Sequence, residues 1–149
     1  MDKITAKAQM IIRKPPATVF DAFVDAHTMS KFWFTRRDDG LKQGETISWY
    51  VGQGEDAPSV EVRVEHLQPS EKIQIQWGHR DQFTQVNWHI EKTIDGHSIL
   101  TIEESGFTGS NQEIIKQALD STGGFNQVIV ALKSLLEHNA TVNIVTDHV

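Results

Sequence analysis

The sequence predicts an α+β fold in which a long C-terminal helix lies across one face of a curved antiparallel sheet. Two patterns carry this. From about residue 45 to residue 105, apolar residues alternate with polar ones, the period of strands with one wet face and one covered face. Then, in "STGGFNQVIVALKSLLEHN" at 121–139, Phe125, Val128, Ile129, Leu132, Leu135 and Leu136 recur at steps of three and four, a single stripe on a helix of period 3.6. A stripe that wide must be covered, and the sheet offers the apolar face to do it.

In chain order, "ITAKAQMII" sets Ile4, Ala6, Ala8, Met10 and Ile12 on one side and Thr5, Lys7 and Gln9 on the other, a first strand. "KPPATVFDAFVDAH" supplies prolines for a first helical turn and then Val19, Phe20, Phe23 and Val24 on one helical face. "TMSKFWF" starts a second short helix, with Thr28 as its N-cap and a dense aromatic group at Phe32, Trp33 and Phe34. Five strands follow as an antiparallel meander. Their covered faces carry Ile47, Trp49 and Val51; Val60, Val62 and Val64; Ile73, Ile75 and Trp77; Val86, Trp88 and Ile90; Leu100 and Ile102. Gly52 and Gly54 in "VGQGEDAP" belong to a hairpin loop, because Pro58 and the alternation of "SVEVRV" announce another strand where a phosphate cradle would need a helix. In the last region Ser110 and Glu113 stand at capping-box spacing. Gly123 and Gly124 would each cost about 1 kcal/mol inside a helix, which predicts a kink, a break or a close backbone approach there. The closing "TVNIVTDHV" reads as an extended tail.

The chain has 149 residues, the length of one domain spanning 1–149. Fourteen basic against twenty acidic residues give a net charge of −6, which argues against a phosphate-tracking nucleic-acid surface. Arg36 and Arg37 in "FTRRDDG" are answered by Asp38 and Asp39, a solvated loop. The sequence contains no cysteine, so disulfides, thiol nucleophiles and cysteine zinc sites are excluded. That composition, an N-terminus without a secretory pattern and the lack of a long apolar run predict a cytoplasmic protein with no membrane partner. The seven histidines fall in no metal-binding spacing, and Ser105 in "ESGF" lacks a nucleophile elbow; neither a metal, a cofactor nor a catalytic residue is assigned.

Together, "PPATVFDAFVDAHTMSKFW", "LKQGETISWYV", "APSVEVRVEHLQPSEKIQIQWG", "VNWHIEKTIDGHSILTIEESGF" and the final helix resemble the bacterial START-like proteins related to the activator homologues of the heat-shock-protein ATPase. The resemblance spans nearly the whole chain. It implies a helix-grip fold with a cavity between helix and sheet, in a superfamily whose members bind lipids, hormones or polyketides, and it implies no single activity. The family often has Trp after the paired glycines, where this chain has Phe125. Eukaryotic relatives that stimulate the chaperone carry a further domain, for which 149 residues leave no room.

The expected function is binding of a small hydrophobic or aromatic molecule in that cavity. Trp49, Trp77 and Trp88 share inward parity on three strands, as core or as ligand wall. Trp33 lies near the mouth, while Phe125 and Ile129 begin the helical stripe. Glu104 shares the parity of Leu100 and Ile102 and so points inward. A two-residue turn at Asp95 and Gly96 would set Glu103 opposite Trp88; a three-residue loop with a bulge pairs Glu104 with Trp88 and is preferred. His66, His79 and Lys92 are candidate partners for Glu104. The alternatives are a cyclase-type enzyme using the same cavity and a module that contacts a chaperone.

Overall fold

The computed structural model describes residues 3–34, 36–37, 39–52 and 54–149, with the side chains of residues 36 and 37 outside the description. Strand β1 (Ala6–Ile12) is followed by helices α1 (Pro16–Val24) and α2 (Ala26–Met29) and by β2 (Arg36–Arg37). Then come β3 (Thr46–Tyr50), β4 (Ser59–Gln68), β5 (Lys72–His79), β6 (Gln82–Lys92), β7 (Ser98–Ser105) and α3 (Asn111–His138). The strands form one antiparallel sheet in the order β1-β7-β6-β5-β4-β3-β2. The first strand therefore lies beside the last long one, with α1 and α2 in the connection to the far edge.

Period-two alternation sets the covered face. Ile47, Trp49, Val62, Val64, Ile73, Ile75, Val86, Trp88, Ile90, Leu100 and Ile102 are buried there. α1 adds Val19, Phe20, Ala22 and Phe23, and α3 adds Phe125, Val128, Ile129, Ala131 and Leu132. At about 1.5–3 kcal/mol for each large apolar side chain removed from water, this shared core is the main force holding helix to sheet. The capping box is present in full: Ser110 Oγ accepts from the Glu113 N–H at 3.2 Å, and Glu113 reaches back to the Ser110 backbone.

A clamp ties the C-terminal turns of α3 to the edge strand. Lys133 Nζ donates to the Ile11 carbonyl at 2.8 Å and to Glu137 Oε2 at 2.7 Å, and the same carboxylate accepts the Arg13 N–H at 2.9 Å. The Ile11 carbonyl and the Arg13 N–H, edge groups that could pair with another chain, are thereby occupied. Burial alone would raise the Glu137 pKa, but the Arg13 N–H and the Lys133 ammonium outweigh it and hold the carboxyl below the ordinary glutamate range.

Several sequence expectations are corrected. Helix α3 is unbroken through Gly123 and Gly124, giving about 42 Å of helix. A Cβ on either glycine would meet nothing within 4 Å, so no close backbone approach demands them. The buried stripe that follows, from Phe125 to Leu132, and the capping box at Ser110 outweigh the glycine penalty. Thr28 lies inside α2, not at its cap: Asp25 Oδ2 accepts the Thr28 N–H at 2.9 Å. Arg36 and Arg37 form a short edge strand opposite Tyr50 and Trp49, not a loop; their charge balance with Asp38 lies outside the described residues. The β6–β7 connection runs through five residues, so Trp88 pairs with Ile102 and Glu104 with Val86. Both candidate hairpins were too short. The longer loop preserves the inward parity of Glu104 without a bulge. A bulge between Val64 and His66 instead turns His66 outward and lets Leu67 pack on the core. The tail is not extended: it folds into turns closed by Asp147 N–H to Asn143 O at 2.9 Å and Ile144 N–H to Val142 O at 3.0 Å.

Candidate functional site

The aromatic residues converge because five elements aim at one end of the sheet. Trp33 follows α2, Trp49 comes from β3, Trp77 from β5, Trp88 from β6 and Phe125 from α3. Trp33 is the hub. Its ring lies 5.4 Å from Trp49, 5.8 Å from Trp77, 6.2 Å from both Trp88 and Phe23, and 6.3 Å from Phe125. Most of these are edge-to-face or tilted arrangements, as the ring quadrupoles favour. Phe125 and Trp77 are instead stacked, 5.8 Å apart with 14° between planes.

Beside this cluster runs a cleft of about 490 Å³. Its apolar walls are Trp33, Val51, Trp77, Phe125 and Val128, and Asp120, Ser121 and Gln127 supply polar edges. Gly124 also borders it, and the open space where its side chain would be keeps the cleft wide.

The C-terminal turns close one side. Asn139 ends α3 in the left-handed conformation (φ 51°, ψ 35°) and reverses the chain. Ile144, Val145 and His148 then line the cleft, with Ile144 and Val145 packed against the core. Among the described residues, the hydrogen bonds of 141–149 run within that segment. Apolar contact alone therefore holds this strap over the cleft.

Behind the Trp77 indole lies Glu104, only 4% exposed. Trp77 Nε1 donates to its Oε2 at 2.9 Å, and Thr84 Oγ1 donates to the same oxygen. Trp77 and Thr84 are cross-strand neighbours, and Glu104 reaches them from the adjoining strand. Glu104 Oε1 is buried without a hydrogen-bond partner. His66, His79 and Lys92, expected as partners, are all exposed to solvent.

The seven candidate residues thus divide. Trp33, Trp77 and Phe125 line the cleft. Trp49, Trp88 and Ile129 are each 1% exposed and stand behind it as core. Glu104 is one indole removed. Trp33, expected near the mouth, lines the cleft from the centre of the aromatic cluster and is 7% exposed. Sequence reasoning missed Thr84, although its parity with Val86 and Trp88 points inward, and missed Ile144 and Val145, an apolar pair in a polar tail. Among the described residues, no group of side chains could hold a metal ion and no helix is long and apolar enough to cross a membrane.

A long helix gripped by a curved antiparallel sheet, with short helices after the first strand, defines a START-like, helix-grip protein. The chain belongs to the family described as Activator of Hsp90 ATPase homolog 1-like protein, whose sequence profile matches residues 13–137. It is similar to protein SSP2350 from Staphylococcus saprophyticus, at 26% identity and a TM-score of 0.78 over 94% of this chain and 96% of that one. The fold is shared with the Aha1 dimer from Colwellia psychrerythraea, at 14% identity and a TM-score of 0.75 over 91% and 97%. It is shared too with DynU16 of the dynemicin biosynthetic locus, at 16% identity and a TM-score of 0.78 over 95% of this chain and 49% of that one. No curated protein sequence matches the chain.

Proposed function

We propose that the protein binds a small apolar or aromatic molecule in the cleft between α3 and the sheet, without catalysing a reaction. The observation that carries this is the cleft itself, about 490 Å³ and walled by Trp33, Trp77, Phe125, Val51 and Val128. Apolar concave walls with a few polar edges are the usual form of small-molecule sites. An indole and a phenyl ring offer flat area to a planar guest at little entropic cost. Titration with flavonoids, polyketides and fatty acids, followed by tryptophan emission, tests the reading. Saturable quenching by a planar aromatic guest supports it. Flat titrations throughout, or NMR shifts confined to the outer sheet face, overturn it. On the strength of the cysteine-free, acidic sequence we place the protein in the cytoplasm, which fractionation of cells expressing a tagged chain tests.

A second reading, contact with an Hsp90-type chaperone, draws on the family description and on Ile115 and Leu119, 46% and 67% exposed on the outer side of α3. Stimulation of chaperone ATPase by the wild-type chain, lost in Leu119→Asp, supports it. No effect of the wild type overturns it.

A further inference from the structure

Glu104 is a carboxylate with one satisfied and one unsatisfied oxygen, both inside the protein. Oε2 accepts from Trp77 Nε1 at 2.9 Å and from Thr84 Oγ1, while Oε1 accepts from nothing. No ion pair reaches the group among the described residues: the salt bridges involving glutamate run to Glu61, Glu103 and Glu137. A buried acceptor left unpaired costs free energy that water would otherwise supply, and more so for a charged group. An apolar residue at position 104 would continue the covered face of Leu100 and Ile102 without that cost.

The same group lies one indole away from the cleft. Trp77 stands between them: its side chain lines the cleft and its N–H ends on Glu104. Of Trp33, Trp49, Trp77 and Trp88, only Trp77 is half-buried, while the others are buried. It is the indole whose displacement loses least packing. A guest that displaces it would reach a carboxylate already held in place by Thr84.

From this we infer that Glu104 is the polar recognition point of the cleft, and that the cleft takes a flat apolar molecule bearing a hydrogen-bond donor, a hydroxyl or an amine, which the buried carboxylate accepts at Oε1. This rests on the cleft being a guest site and adds the chemistry of the guest. Trp77 sets how far the donor must reach, so it governs selectivity as a positioning residue and Glu104 as a contact.

2-Naphthol and 2-methoxynaphthalene are suitable probes, since they share a ring system and differ in the donor. Calorimetry on the wild-type chain should give 2-naphthol a Kd about ten-fold or more below that of the ether, as expected for a hydrogen bond to a charged acceptor. Glu104→Gln should abolish most of that ratio. Trp77→Phe keeps a ring in the wall and removes one of the two donors to Oε2, so it should retain or raise the ratio. That variant keeps the inference testable should Glu104→Gln fail to fold. In the wild type, 2-naphthol should also move the Trp77 indole N–H resonance further than the ether does. Equal affinities for the two probes, or a ratio unchanged in Glu104→Gln, overturn this inference while leaving the cleft a binding site. Absence of binding by either probe overturns it together with the cleft reading for bicyclic guests.

Discussion

Replacing Trp33 by alanine removes the ring that joins α1, β3, β5, β6 and α3 into one aromatic cluster. The residue is 7% exposed, so nearly its whole surface returns a cavity when truncated. Large aromatic truncations in a core cost about 3–5 kcal/mol, and aromatic pairs add about 0.5–1.5 kcal/mol each before non-additivity is allowed for. We therefore expect Trp33→Ala to lose about 5 kcal/mol, against a total of about 5–15 kcal/mol for a typical domain. Phe125→Ala should lose about 3 kcal/mol, at the lower end of the same range, because its smaller ring meets Trp33 and Trp77, whereas Trp33 also meets Phe23, Trp49 and Trp88. Urea unfolding followed by far-UV circular dichroism measures both without relying on the indole signal that the first substitution alters. A loss under about 1 kcal/mol for Trp33→Ala, with an unchanged m-value, would refute the reasoning and move Trp33 out of the core.

Three further outcomes are expected. Glu137→Gln should destabilise the chain near neutrality and make no difference in strong acid. The folded-state pKa lies below the ordinary value of 4.5, so the unfolded chain binds the proton first. The clamp's contribution is therefore whole above that value and is lost as pH falls through the folded-state pKa; a wild-type advantage that persists in strong acid would contradict this. Ser110→Ala should cost about 1 kcal/mol by leaving the Glu113 N–H without its acceptor, read as a shift in urea midpoint; no shift would show the cap to be idle. Removing residues 141–149 should leave the helix signal intact but red-shift tryptophan emission and raise acrylamide quenching, because Ile144 and Val145 cover the cleft that Trp33 and Trp77 line. Unchanged quenching would mean the strap does not shield the cleft.

The fold class was legible in the chain, because the signals that specify it are local. Alternation in "KIQIQW" or "TQVNWHI" assigns a face to every residue of the strand, and the stripe from Phe125 to Leu136 assigns a face to the helix, whatever the remainder of the chain does. For the same reason the inward parity of Glu104 was legible although its cross-strand partner was not. The remaining features depend on how the elements meet. The bulge after Val64 reversed His66, the five-residue loop at 93–97 set which residues pair across β6 and β7, and the α3 stripe carried the helix through two glycines. Trp33, Trp77 and Phe125 became one wall only when a post-helical turn, a central strand and the last helix converged. The strap came to lie over that wall by apolar contact of Ile144 and Val145, with no sequence period to announce it. Local periodicity encodes which way a side chain points, whereas loop length, bulges and long-range packing decide which side chains it faces.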